Sequence, residues 1–308
     1  MTTLHLFLLR PAMLCLVWLS LARLLLARLL LARLSLACVL LASVTGFAHA
    51  QEESSHTGPA GTELLQELTD IPQGAADLPK EVTDPALKWK RAIDRDDANI
   101  LWQLLPEADV YATNDKGKTA LMSAAKIGDQ RLLEVLVERG LDIEDKSNTG
   151  GTALMYAVLG NQLNMINYLL ARTDDLDAIS TNGWTAAMIA AAKGFDSAIQ
   201  LLVNAGANSV LPDVYQWSPL MRAIDNRHSA VVNYLLSLPA TQDINHVNEN
   251  GSSALHVAAL TGDVDAVKLL LAQGADDGLL DKNQKTARQV ALAAGHEDIA
   301  KLLEPSDR

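Results

Sequence analysis

An all-α solenoid of stacked helix pairs, with short hairpin-like fingers and divergent capping units, is the fold class this sequence predicts. Three observations predict it. First, six segments repeat in register: TALMSAAKIGD (119–129), TALMYAVLGNQ (152–162), TAAMIAAAKGF (185–195), SPLMRAIDNRH (218–228), SALHVAALTGD (253–263) and TARQVALAAGH (286–296). Their first residues are 33, 33, 33, 35 and 33 apart. Second, a further apolar stretch follows each segment at helical spacing, as in RLLEVLVERG (131–140), AIQLLVNAG (198–206) and DAVKLLLAQG (265–274). Third, both cysteines, Cys15 and Cys38, lie in the first 50 of 308 residues. The remainder must therefore be held by burial alone, and a stack of units burying one continuous core does that.

In chain order, residues 1–50 contain no acid and four arginines, Arg10, Arg23, Arg28 and Arg33. Leu34–Ala48 carries no charge. Those 15 residues are too few to cross a bilayer as a helix, which takes about 20. They match the apolar core of a secretory signal and end in the small-x-small sequence Ala48-His49-Ala50. The expectation is a signal peptide over 1–50, cleaved between Ala50 and Gln51, and a mature chain without stable membrane insertion in the periplasm or outside the cell. An uncleaved N-terminal membrane anchor and lipidation at Cys38 are the alternatives.

Residues 51–82 are rich in Ser, Gly, Pro and acids and are expected to form a flexible linker. The repeat domain is expected over 83–308. Within each repeat, the leading Thr or Ser is placed to cap a first helix. Ala124, Ala157, Ala190, Ala223, Ala258 and Ala291 let adjacent helices approach. Gly140, Gly206 and Gly274 end second helices. Gly117, Gly150, Gly183 and Gly251 lie two residues before the next cap, where a tight turn is wanted, and Gln216 and Gln284 replace them in the fourth and sixth copies.

These segments resemble the ankyrin repeat, with its 33-residue period and T-P-L-H-x-A mark. The resemblance covers roughly 86–304. It implies an ankyrin-repeat solenoid of six repeats preceded by a divergent unit near 86–105, which reads as an N-terminal cap. The last unit, with Arg288 and Gln289 at positions three and four, reads as the C-terminal cap. Two extra residues fall within SLPATQDINHVNENG (237–251) and lengthen the fifth finger.

The search for chemistry returns no catalytic, cofactor-binding or metal-binding set. Phosphate loops, nucleophile elbows and metal-protease helices have no counterpart. His256, His228 and His296 sit at positions the ankyrin pattern gives to structural histidines, and His246 has no ligand-spaced companion. The paired acids Asp174-Asp175 and Asp276-Asp277 fall where polar turns are expected. Asn250-Gly251-Ser252 is a glycosylation sequon in a eukaryotic secretory route. Met122, Met155, Met188 and Met221 share one repeat position and read as packing between repeats.

Charge narrows the partner. The 37 acids all follow residue 50, against 21 Lys and Arg there, a balance of −16. That repels nucleic acid and anionic lipid and favours another protein, with a basic surface. The resemblance implies that contact is made by finger tips and the face lined by first helices. The residue before each cap (Lys118, Gly151, Trp184, Trp217, Ser252, Lys285) is expected on that surface. Trp184 and Trp217 in adjacent repeats are expected to form an aromatic strip extended by Tyr215, with Tyr111 in the first finger. Asp213, Asp225 and Glu249 would supply an acidic rim, and Lys193 and Asn226 would border the helical face. Packing against neighbouring fingers is the alternative for the two tryptophans. Exported bacterial ankyrin proteins imply a non-enzymatic role that protects, assists or inhibits a partner. An immunity protein neutralising a periplasm-directed toxin is the alternative, and a small-ligand binder a further one.

Overall fold

The computed structural model describes residues 84–238 and 243–304. The expected signal peptide, its cleavage site, both cysteines and the 51–82 linker lie outside the described residues.

Fourteen helices occur among the described residues, in seven consecutive pairs. The divergent first unit is α1 (Pro85–Arg95) and α2 (Ala98–Leu104). The six repeats are α3 (Ala120–Ile127) with α4 (Gln130–Glu138), α5 (Ala153–Leu159) with α6 (Leu163–Leu170), and α7 (Ala186–Lys193) with α8 (Asp196–Asn204). They continue with α9 (Pro219–Asp225) and α10 (Ser229–Ser237), α11 (Ala254–Thr261) and α12 (Val264–Ala272), and α13 (Ala287–Ala294) and α14 (Glu297–Leu302). Each first helix packs on its own second helix and on the first helices of both neighbours. This is the ankyrin-repeat, all-α solenoid expected from the 33-residue period. None of the described helices is long and apolar enough to cross a membrane.

The local causes are those in the sequence. Thr119, Thr152, Thr185, Ser218 and Thr286 accept a bond from the backbone N–H three residues on, at 3.1–3.4 Å, which closes the exposed first turn. Asp97, Asp129 and Asp263 do the same for α2, α4 and α12. The alanine column, Ala124, Ala157, Ala190, Ala223, Ala258 and Ala291, is fully buried at 0% exposure. Met122, Met155, Met188 and Met221 are buried to within 1%, so the methionine column is packing between repeats. His256 bridges Ser253 Oγ (2.9 Å) and the Lys285 carbonyl (3.1 Å). His228 and His296 reach back to the carbonyls of Ala192 and Leu260 in the preceding repeats. All three histidines tie one part of the stack to the next.

The fingers obey a rule not read from the sequence. Five residues before each cap stands Asn114, Ser147, Ser180, Asp213, Asn248 or Asp281, each buried. Its side-chain oxygen accepts the N–H of the residue just before the cap, at 2.8–3.0 Å, in every finger. Adjacent fingers are then joined backbone to backbone. Asn148 donates to the Lys116 carbonyl, Thr181 to Thr149, Val214 to Asn182, Glu249 to Tyr215 and Lys282 to Asn250, at 2.9–3.2 Å. The ladder brings Gly183 so close to the next finger that a Cβ there would lie 2.8 Å from the Val214 nitrogen, and its φ is +76°. Gln216 and Gln284 adopt the same left-handed turn at φ 60°, so the substitution keeps the geometry at a cost in backbone strain.

Candidate interaction surface

Four of the six residues before the caps, Lys118, Gly151, Trp184 and Trp217, are buried, while Ser252 is half-buried and Lys285 exposed. Lys118 and Trp184 pack on the first helix of the following repeat. Lys118 lies over the Tyr156 ring at 5.3 Å, and Trp184 over the Arg222 guanidinium at 5.5 Å. Trp217 also lies by Arg222, at 4.5 Å, within the same repeat. Trp184 and Trp217 are 1% and 2% exposed. The expected aromatic surface strip is therefore replaced by a buried cluster of Trp184, Arg222 and Trp217. The physical reason is the neighbouring repeat, which covers these fingers and converts an outward-looking sequence position into core.

Asp213 is likewise interior, at 2% exposure. Its Oδ1 accepts the Tyr215 and Trp217 N–H groups, both at 2.9 Å, and its Oδ2 takes Arg222 at 2.5 Å. Both oxygens of the carboxylate are engaged inside the molecule, so it is not part of an acidic rim. Lys118 is 6% exposed. It donates to the Ile93 carbonyl at 3.0 Å and to Asp96, which also holds Lys126 at 2.9 Å. Burial pulls the Lys118 ammonium below the usual lysine range despite the nearby carboxylate. Four of the seven residues expected to touch a partner are thus the joints of the stack.

The other three keep some exposure. Tyr111 is 62% exposed, its hydroxyl donating to the Arg139 carbonyl at 3.1 Å. Tyr215 is half-buried and packs on the core, while its carbonyl carries a rung of the ladder. Asp225 is half-buried at the end of α9. Lys193, also half-buried, is held below the usual lysine range by burial and by Lys126.

In the second half of the chain the fingers present exposed apolar residues among their polar ones. Ile179 is 56% exposed, Val214 54%, Val247 39% and Leu280 50%. Ile179, Val247 and Leu280 stand six residues before their caps, with Pro212 at the same place in the fourth finger. The first two fingers carry Thr113 and Lys146 there. Position six before the cap alternates with the buried column at position five, so the signal was present in the sequence. It was legible only once the buried Asn, Ser and Asp column had fixed which way the finger faces. Water-facing branched residues repeated across four adjacent fingers are the kind of exposed patch that marks contact sites. Exposed Glu249 and half-buried Asn182 and Tyr215 sit at the tips beside them.

Known proteins place this arrangement in a family. The ankyrin-repeat family, described as ankyrin repeats in three copies, matches residues 90–180, 171–246 and 236–307. The human ankyrin repeat domain-containing protein 37 is 32% identical over 109 residues, covering 35% of this chain and 67% of that protein. A Caenorhabditis elegans homologue of transient receptor potential cation channel subfamily A member 1 is 27% identical over 120 residues, 39% of this chain. The match spans only 10% of that channel protein, so the likeness is to its repeats and not to the whole. Among solved structures, a chain from the complex of a predatory endopeptidase with an immunity protein, from Bdellovibrio bacteriovorus, superposes with a TM-score of 0.53 at 30% identity. It covers 62% of this chain and all of that one. With the period, the caps, the finger ladder and the family match in agreement from residue 90 to 307, the chain belongs to the ankyrin-repeat family.

Proposed function

We propose that this protein is an exported, non-enzymatic binder that holds a partner enzyme in an inactive complex, as an immunity protein does. Ankyrin repeats are protein-interaction modules, and the apolar finger edge formed by Ile179, Val214, Val247 and Leu280 is the observation that carries the reading. An interface centre is depleted in charge and rich in large apolar groups, and this edge is the part of the described surface with that character. The likeness to a chain from an endopeptidase–immunity protein complex supports the choice of an endopeptidase-class partner. The acid excess after residue 50 supports a basic rim on that partner. The uncharged stretch ending in Ala48-His49-Ala50 supports export to the periplasm.

The test expresses the full chain in its own host and captures it from the periplasmic fraction beside an Ile179→Asp/Val214→Asp variant. Both positions are exposed, so circular dichroism and melting temperature should match the parent. The expected result is one stoichiometric enzyme, inhibited by the parent and lost by the variant. Equal capture by both proteins rejects the finger edge. A captured enzyme whose activity is unchanged or raised rejects the inhibitory role. Mass spectrometry of the captured chain should give Gln51 as the first residue.

A further inference from the structure

One junction in the stack is built unlike the others. Ten residues before each cap stands Asp109, Asp142, Asp175, Asn208, Asp243 or Asp276. In each, the side-chain oxygen accepts the N–H two residues on, at 2.8–3.2 Å. Because this column keeps its ten-residue offset in the fifth repeat, the two extra residues of the long finger fall between Leu238 and Asp243. The residue two places after this column sends a polar atom across to the next loop. Tyr111 Oη donates to the Arg139 carbonyl, Glu144 accepts from Asp174 N–H, Asp177 from Asn208 N–H and Asn245 from Asp276 N–H. In the fourth repeat that residue is Val210, which has no polar side-chain atom to send.

A cavity of about 130 Å³ opens at this junction. Val210, Leu220, Met221, Ile244 and Ala254 line it, with Ser218, Asp243 and His246 around them. Ser218 Oγ is engaged in capping α9, and the His246 ring is tied to the Gln216 carbonyl at 2.8 Å. Those two polar groups are thus already partnered within the molecule, which leaves the aliphatic walls and the Asp243 carboxylate, one oxygen of which accepts the Asn245 N–H. A space near 150 Å³ with such walls takes a benzene-sized guest. Asp243 is exposed at its edge, and the neighbouring fingers present Val214 and Val247, 54% and 39% exposed.

We infer that this gap between the fourth and fifth repeats is the anchor pocket of the interaction surface, receiving one leucine- or phenylalanine-sized side chain of the partner protein with a Lys or Arg beside it. The inference rests on the protein-binding reading above and adds where, and by what chemistry, the partner is held. The volume selects one large apolar side chain. The Asp243 carboxylate at the edge selects a cation next to it, in keeping with the acid excess of the chain. Anchoring of this kind, one buried side chain within a ring of weaker contacts, is how binding energy concentrates in interfaces.

The test uses protein purified after expression of the full chain and three capped dipeptides: acetyl-Leu-Lys-amide, acetyl-Ala-Lys-amide and acetyl-Leu-Glu-amide. In ¹H–¹⁵N spectra, acetyl-Leu-Lys-amide should give saturable shifts at the amides of Val210, Met221, Ile244 and Ala254. The alanine peptide should bind roughly fiftyfold more weakly, from its lost methylenes. The glutamate peptide should be weaker by roughly twofold to fivefold, as expected for an exposed charge contact. Val210→Phe should abolish the shifts, and Asp243→Lys, a surface change that leaves the walls intact, should reverse the preference between Lys and Glu. The proposal is overturned by shifts that do not saturate at these amides, by equal binding of the leucine and alanine peptides, or by unchanged binding in a folded Val210→Phe protein. Peptide failure with continued capture of an enzyme removes the pocket and leaves the binding reading standing. Peptide binding without any captured enzyme does the reverse.

Discussion

The junction between the third and fourth repeats and the junction between the fourth and fifth lie one helix pair apart and are built in opposite ways. At the first, Trp184, Arg222, Trp217 and Asp213 close the seam, and all four are 2% exposed or less. At the second, Val210 replaces a cross-loop acceptor, two residues are added, and a cavity of about 130 Å³ is left. Both keep the backbone rung between fingers, Val214 to Asn182 and Glu249 to Tyr215. The same ladder therefore tolerates a sealed seam and an open one. The residues with the most conspicuous chemistry went into the sealed seam, and the open one is walled mainly by plain aliphatic groups.

The largest effects should come from the sealed seam. Arg222→Ala or Asp213→Ala leaves an uncompensated interior charge and should cost about 3–5 kcal/mol each, measured by urea unfolding. The pair Arg222→Met with Asp213→Asn, which keeps an acceptor for the Tyr215 and Trp217 N–H groups, should recover most of that. A cost below about 1 kcal/mol for either single change would mean the seam is held by the indoles alone. Gly183→Ala comes next, at about 2 kcal/mol, from its left-handed backbone and the close Val214 nitrogen. At the open seam, Val210→Phe should change stability by less than about 1 kcal/mol, because the added ring has space to occupy. If it costs as much as a change at the sealed seam, the space is not open to a side chain.

Smaller effects sharpen the contrast further. Gln216→Gly relieves left-handed strain but frees the unfolded chain, and should raise stability by about 0.5 kcal/mol. Lys118 gives a pH test of a second buried ion pair, Lys118 with Asp96. Its folded pKa lies below the usual lysine value because burial outweighs the carboxylate. Between the folded and unfolded values the unfolded chain binds more protons, so this group makes stability rise with pH in that window and imposes its full cost below it. Lys118→Met should flatten the rise on the alkaline side and be neutral or stabilising at pH 7, read from denaturation midpoints across that range.

The period, the caps, the alanine and methionine columns and the structural histidines were all legible in the sequence, because each follows a local pattern in register with the repeat. The fate of Trp184, Trp217, Lys118 and Asp213 was not. Whether the residue before a cap looks outward depends on what is laid over it, and Tyr156 over Lys118 and Arg222 over Trp184 come from the next repeat. Register told where these side chains fall along a finger but not which side of it is covered. The apolar positions Ile179, Val247 and Leu280 were visible as letters, and their exposure followed only from the burial of the column beside them. The two-residue insertion was seen as a lengthened finger, and its place in the repeat emerged when the ten-residue offset of Asp243 put it before that residue.

The rungs between fingers are made of peptide groups, so no side chain at the tips is needed to keep them. Descendants of this gene are therefore at liberty to rewrite Asp115, Asn148, Thr181, Val214, Glu249 and Lys282 one at a time while the architecture persists. A lineage could alter what this edge contacts by drift along it, with each intermediate still a folded molecule available to selection.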